Sequence, residues 1–145
     1  MAAIGNAPFW KTTEALTVYN GTGSTISPYL ILVADASYHL GAKLPGTSQV
    51  VQAIKGVAQA EIDTGTFDQT FAKPGDTVVC KANGAVAKGD TLYLDVSSGN
   101  EGKVAKYTDF ATDGSEFIVG VADSACADEG LCSVILGGGY RNGAA

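Results

Sequence analysis

Few residues in this chain combine the type and spacing that chemistry needs. His39 is the single histidine among 145 residues, so any serine or cysteine nucleophile activated by an imidazole would have to work through it. It sits in Ser37-Tyr38-His39-Leu40-Gly41, a polar stretch running into a turn, and reads as an exposed loop histidine. The sequence holds no Gly-x-Ser-x-Gly elbow. Cys80, Cys126 and Cys132 lack the Cys-x2-Cys spacing of a zinc site, and one histidine does not complete a tetrahedral set. Cys80 and Cys132 fall in strand-like apolar runs, where a free thiol packs as a small hydrophobe. Asp109-x3-Asp113-Gly-x-Glu116 lacks the alternating oxygen ligands of an EF-hand loop. Gly137-Gly138-Gly139 is not followed by the helix start that a phosphate cradle requires, and is expected to be a flexible exit from the last strand. Asp63, Asp68 and Asp76 read as solvated turn acids. The reading is of a chain that is not an enzyme and carries no cofactor and no metal.

Composition narrows the partners. Fifteen acidic and nine basic residues give a formal net charge of −6, which argues against a nucleic-acid binder working through phosphate neutralisation. Charged residues make up 17% and hydrophobic ones 46%, a balance that suits a packed core and not a disordered tail. No apolar run approaches the roughly 18–20 residues of a membrane helix. Met1–Pro8 lacks a basic stretch followed by an apolar one, so no signal peptide is expected, and the odd cysteine count favours reduced thiols in a cytoplasmic setting.

The elements are read as strands. Short β-branched runs between turn residues predict strands at 15–19, 29–34, 50–60, 77–82, 91–96, 103–107, 117–122 and 131–136. The window at 48–60 also has helical spacing, but Gly56 and four β-branched residues weaken a helix there. Lys73-Pro74-Gly75-Asp76 suits a type II turn, Lys88-Gly89-Asp90 and Asp113-Gly114 read as turns, and Asn83-Gly84 is a hairpin dipeptide. The fold class is therefore mainly β: a single compact β-rich domain of barrel or sandwich type.

The pattern also repeats. Ile54-Lys-Gly-Val-Ala-Gln-Ala60 returns 64 positions later as Ile118-Val-Gly-Val-Ala-Asp-Ser124, and Ile26–Leu32 is echoed by Ala87–Tyr93. The expected organisation is an N-terminal arm over 1–15, a β-rich domain over 16–140 built from half-units 16–83 and 84–140 around one core, and a flexible tail over 141–145.

The ends carry the candidate binding residues. Ile4, Pro8, Phe9 and the only tryptophan, Trp10, lie on a leader of small residues, and aromatic anchors of that kind dominate interface energies. Tyr140 and Arg141, just past the glycines, are the second choice.

The order of these features resembles a known family. Ala85-Val-Ala-Lys-Gly-Asp-Thr-Leu-Tyr-Leu-Asp95, then Phe117-Ile-Val-Gly-Val-Ala-Asp-Ser-Ala125, then Gly130-Leu-Cys-Ser-Val-Ile-Leu136 is similar to the head decoration (cement) proteins of tailed bacteriophages. The match covers roughly 84–137, with a weaker echo in 26–62. The resemblance implies a fold of the β-tulip kind. It implies binding to the outside of a capsid, with the major capsid protein as partner and the chain itself clustering as a trimer or other small oligomer. The location implied is the virion exterior, assembled in the host cytoplasm. No catalytic residue is carried over. The second reading is a β-rich carbohydrate- or ligand-binding module of a phage tail or host-attachment apparatus, which clustered exposed aromatics would favour.

Overall fold

The computed structural model describes residues 15–46, 54–108 and 115–142. Every element in them is a strand or a turn. The ten strands are β1 (Leu16–Tyr19), β2 (Ile31–Ala34), β3 (Ala42–Lys43), β4 (Ile54–Ala58), β5 (Phe67–Phe71), β6 (Thr77–Lys81), β7 (Thr91–Asp95), β8 (Lys103–Lys106), β9 (Ser115–Ala122) and β10 (Leu131–Asn142). The mainly β, compact reading thus holds, and the structure adds two strands. β3 is two residues long. β5 reads Phe-Asp-Gln-Thr-Phe, whose polar centre hides a strand, although Thr70 is fully buried within it.

The strands form two antiparallel sheets, ordered β1-β5-β4-β2-β3 and β6-β10-β9-β7-β8. Adding five to each label of the first order produces the second. Each sheet is drawn toward closure by one parallel bridge between its edges, Tyr19 with Gly41 and Ala82 with Val104. Each is thus a small five-stranded barrel, called here barrel 1 and barrel 2, with no open edge along the bridged stretch.

The registers repeat as well. Leu32 pairs with Gly56 and Val33 with Ile54 across a bulge; Leu92 pairs with Gly120 and Tyr93 with Ile118 across another. The isolated bridge Ile26–Ile62 has its counterpart in Val86–Cys126. Inside barrel 1 a cluster of Val18, Ile26, Leu32, Ala42, Ala58 and Ile62 is buried. The equivalent positions of barrel 2 are Cys80, Val86, Leu92, Val104, Ala122 and Cys126, which belong to the larger core cluster. Two of the three cysteines therefore stand where barrel 1 has Val18 and Ile62, as small apolar fillers.

Three expectations change. The half-units divide between Phe71 and Thr77 and not at 83/84, because β6 is the edge strand of barrel 2. Asn83-Gly84 does not close a hairpin: β6 pairs with β10, and the Asn83 amide donates to the Val104 carbonyl at 2.8 Å. Gly137–Gly139 is not a flexible exit, and the strand runs on to Asn142. Gly139 pairs with Ile118 after a register shift between Leu136 and Gly139, so the glycines form a bulge inside β10. Residues 50–53 of the strand predicted at 50–60 and Asp113-Gly114 lie outside the described residues.

Candidate interaction surfaces

The barrels join along a line of backbone groups. The Ile31 amide donates to the Gly102 carbonyl at 2.8 Å, and the Lys81 amide donates to the Tyr29 carbonyl at 2.9 Å. Gln59 closes the contact in both directions: its Nε2 donates to the Val79 carbonyl at 2.9 Å and its Oε1 accepts from the Val79 amide at 3.0 Å. Around these bonds Ile31, Val57 and Ala72 of barrel 1 pack into one buried cluster with Val78, Leu92, Val134 and their neighbours in barrel 2.

A cleft of about 390 Å³ opens beside that junction, walled by Tyr29, Leu44, Lys81, Lys103, Glu129 and Leu131 among others. Its polar floor is an ion network. Lys103 Nζ donates to Glu129 Oε1 at 2.9 Å and Oε2 at 2.8 Å, and to Asn100 Oδ1 at 2.9 Å. Lys81 Nζ lies 3.5 Å from Glu129. The Lys103 hydrogen bond, more than any other cause, holds the Glu129 carboxyl below its ordinary range. Tyr29 and Glu129 both sit at positive φ, 72° and 64°, in turns whose equivalents elsewhere use Gly65 and Gly89.

Among the described residues, apolar side chains are also exposed on two surfaces away from the cleft. On barrel 1, Tyr19 packs against Tyr38 with ring centroids 5.5 Å apart and against Phe67 at 5.0 Å; Phe67 is 60% exposed and Tyr38 45%. On barrel 2, the register partners Val121 and Ile135 are 41% and 38% exposed beside a groove of about 440 Å³.

All three cysteines lie in barrel 2, Cys80 and Cys132 buried and Cys126 partly so. Cys80 and Cys132 face one another across β6 and β10. Burial, then a hydrogen bond with Cys126, pushes the Cys132 thiol up to about 12, and burial raises Cys80 further. Thiols this far from ionisation are poor nucleophiles and ligands. Among the described residues no group of three or more His, Cys, Asp or Glu is placed to hold a metal ion, and no helix is long and apolar enough to cross a membrane. His39 lies exposed in the β2–β3 loop.

Of the residues singled out for partner binding, Ile4, Pro8, Phe9 and Trp10 lie outside the described residues. Tyr140 and Arg141 are in β10, with backbones paired to Phe117 and Glu116. Sequence reading missed the aromatic cluster and the Val121–Ile135 surface. The signal for the second was present: β9 and β10 carry apolar residues on both faces, which a strand covered on one side only does not need.

Over nearly its whole length the chain is similar to a solved structure described as the N base of the head fiber gp8.5 of bacteriophage phi29. The TM-score is 0.59 at 16% identity, covering 90% of this chain and 97% of that one. The two share a fold. No protein-family model matches this chain, and no curated protein matches it.

Proposed function

We propose that this chain is a structural protein of a tailed-phage virion, bound to the outer surface of the assembled head, where it bridges and stabilises major capsid protein subunits. The observation that carries the reading is the fold shared with a phage head-fiber base across 90% of the chain. The motifs over 84–137 that resemble cement proteins support it from the sequence. The role is non-catalytic, in keeping with a single exposed histidine and with Cys80 and Cys132 held protonated by burial. A protein that binds only the assembled lattice stabilises that state by mass action, and many symmetric copies add avidity to weak single contacts. Clustering with its own kind on the head belongs to the same reading.

The test is addition of purified chain to expanded, empty heads, followed by occupancy and the head disruption temperature. Saturable binding with a raised disruption temperature is expected. Deletion of residues 2–10, or Trp10→Ala, is expected to weaken affinity for heads about thirtyfold per site, the equivalent of about 2 kcal/mol for an aromatic anchor, and so to lower occupancy. Tyr140→Ala and Arg141→Ala are the second pair. Absence of binding to heads overturns the proposal.

One observation favours the alternative, a carbohydrate-binding module: the exposed Tyr19–Tyr38–Phe67 cluster. The rings lie 54° and 50° from parallel, packed on one another rather than set out as a flat platform for a sugar face. Saturable quenching of the protein fluorescence by oligosaccharides, lost in Phe67→Ala, is the result that would establish it.

A further inference from the structure

The two barrels do not meet through equivalent faces. Barrel 1 contributes the outer face of β2, β4 and β5, where Ile31 and Val57 are fully buried and Phe71 half-buried. Barrel 2 contributes β6 and the turn before β8, through Val79, Lys81 and Gly102. This is head-to-tail packing of two like modules, and it leaves one face of each kind over. On barrel 2 the counterparts of Ile31, Val57 and Phe71 are Thr91, Val121 and Ile135, which line the 440 Å³ groove. On barrel 1 the counterparts of Val79, Lys81 and Gly102 are Thr17, Tyr19 and Leu40. Leu40 is 37% exposed and held at φ 62°, a conformation in which a leucine is strained.

We propose that these two leftover faces dock on each other between chains: a second copy seats the Thr17–Tyr19–Leu40 face of its barrel 1 on the Thr91–Val121–Ile135 face of barrel 2. The packing already made within the chain is the argument for the partner, since the interchain contact continues it. Shape supports it too. Within the chain the bulk lies on one side: Leu30 and Ile31 crowd Gly102, where a Cβ would come within 3.1 Å of the Ile31 carbonyl oxygen and 3.2 Å of the Leu30 Cβ. Between chains the bulk changes sides: Leu40 stands in place of Gly102, opposite Gly89, Asp90 and Thr91. One polar contact is weaker. Asp123 replaces Gln59 and can accept from an amide but not return a donor bond, so the interchain contact is the one that opens on dilution. A heterologous contact of this kind repeats from copy to copy and closes into a ring where the rotation allows.

The proposal deepens the virion reading by naming the self-association partner and its faces, and the two fail separately. The experiment is light-scattering mass of the free chain in solution, without heads. The wild type is expected to exceed the mass of one chain and to fall toward it on dilution. Val121→Asp and Leu40→Asp are each expected to run as single chains with melting curves like that of the wild type. Aspartate tolerates the left-handed backbone at position 40 better than leucine does. Mixed together, the two variants are expected to form a 1:1 dimer and nothing larger, because each retains one working face. If Val121→Asp does not fold, Ile135→Lys takes its place in the mixture. A wild type that stays monomeric at millimolar concentration overturns the proposal, as does either variant keeping the wild-type mass or a mixture that stays monomeric. A monomeric chain that still binds heads would remove the interchain contact and leave the capsid role standing. An oligomer that ignores heads would do the reverse.

Discussion

Gly56 and Gly120 occupy the same place in barrels 1 and 2, and each is pressed against a carbonyl of the neighbouring strand. A Cβ on Gly56 would lie 2.8 Å from the Phe71 oxygen; one on Gly120 would lie 2.0 Å from the Ile135 oxygen. Phe71 and Ile135 are themselves equivalent. The bulges of β4 and β9 bring the backbones this close, and only glycine fits.

Gly120→Ala is expected to destabilise the protein by about 3 kcal/mol or more, at the upper end of overpacking costs, because the obstacle is backbone that no rotamer change can clear. Gly56→Ala is expected to be similar, since its looser contact is joined by a φ of 110°. The midpoint of urea unfolding reads both, and an alanine variant at either site with an unchanged midpoint would contradict the bulge geometry.

Asn20 is fully buried at the end of β1 and bonds at both ends of its amide. Nδ2 donates to the carbonyls of Ser24 and Ile62 at 2.8 and 2.9 Å, while Oδ1 accepts from the Thr22 amide and hydroxyl at 3.0 and 2.7 Å. Asn20→Leu removes all four of these bonds, although the Ile62 carbonyl keeps the Ile26 amide as a donor at 2.9 Å, and is expected to cost about 2–3 kcal/mol. Thermal denaturation checks it, and Thr22→Ala, which removes one bond to the Asn20 side chain and two solvent-exposed bonds with Ser24, is expected to cost less than half as much.

The thiols set a pH limit. The folded state raises the pKa of Cys132 to about 12 and raises that of Cys80, so it binds more protons than the unfolded chain once pH exceeds the ordinary thiol value near 9. Their contribution is fully present below that value and is lost as pH rises from about 9 toward 12. Stability in that range is expected to fall less steeply in a variant with Cys80 and Cys132 both replaced by Ala, a change that itself costs roughly 1–3 kcal/mol at neutral pH. Both thiols in the native protein are expected to react with a thiol reagent at pH 8 no faster than the chain unfolds.

One buried cluster spans both barrels, from Ile31 and Val57 to Val134 and Leu136. Residues 15–142 are therefore expected to unfold in a single transition, with calorimetric and van't Hoff enthalpies equal. Two separated transitions would show that each barrel's own interior suffices.

The sequence showed the strands whose apolar residues alternate clearly, and the Ile-x-Gly-Val-Ala repeat marked two bulges that coincide in the structure. The division of the halves was less visible. β1 and β6 are equivalent, yet Leu-Thr-Val-Tyr and Thr-Val-Val-Cys-Lys share little, because Val79 and Lys81 face the other barrel and Tyr19 faces its own aromatic neighbours. The second echo was also displaced by one residue: Ile26 corresponds to Val86, not Ala87. The glycine tail misled for a different reason. A run of glycines weakens a strand unless the strand must bulge, and that need is set by β9, not by the tail itself. The docking faces were hidden because exposure of Val121 and Leu40 depends on which module lies against which.

The link from Ala72 to Asp76 has a consequence for how the two kinds of contact respond to mutation. It tethers the barrels, so the junction within the chain forms at an effective concentration that for short linkers reaches the millimolar range. Loss of a Gln59 hydrogen bond there is masked by the tether. The same loss at a face that must find its partner from solution appears in full, as a shift in the concentration at which copies assemble.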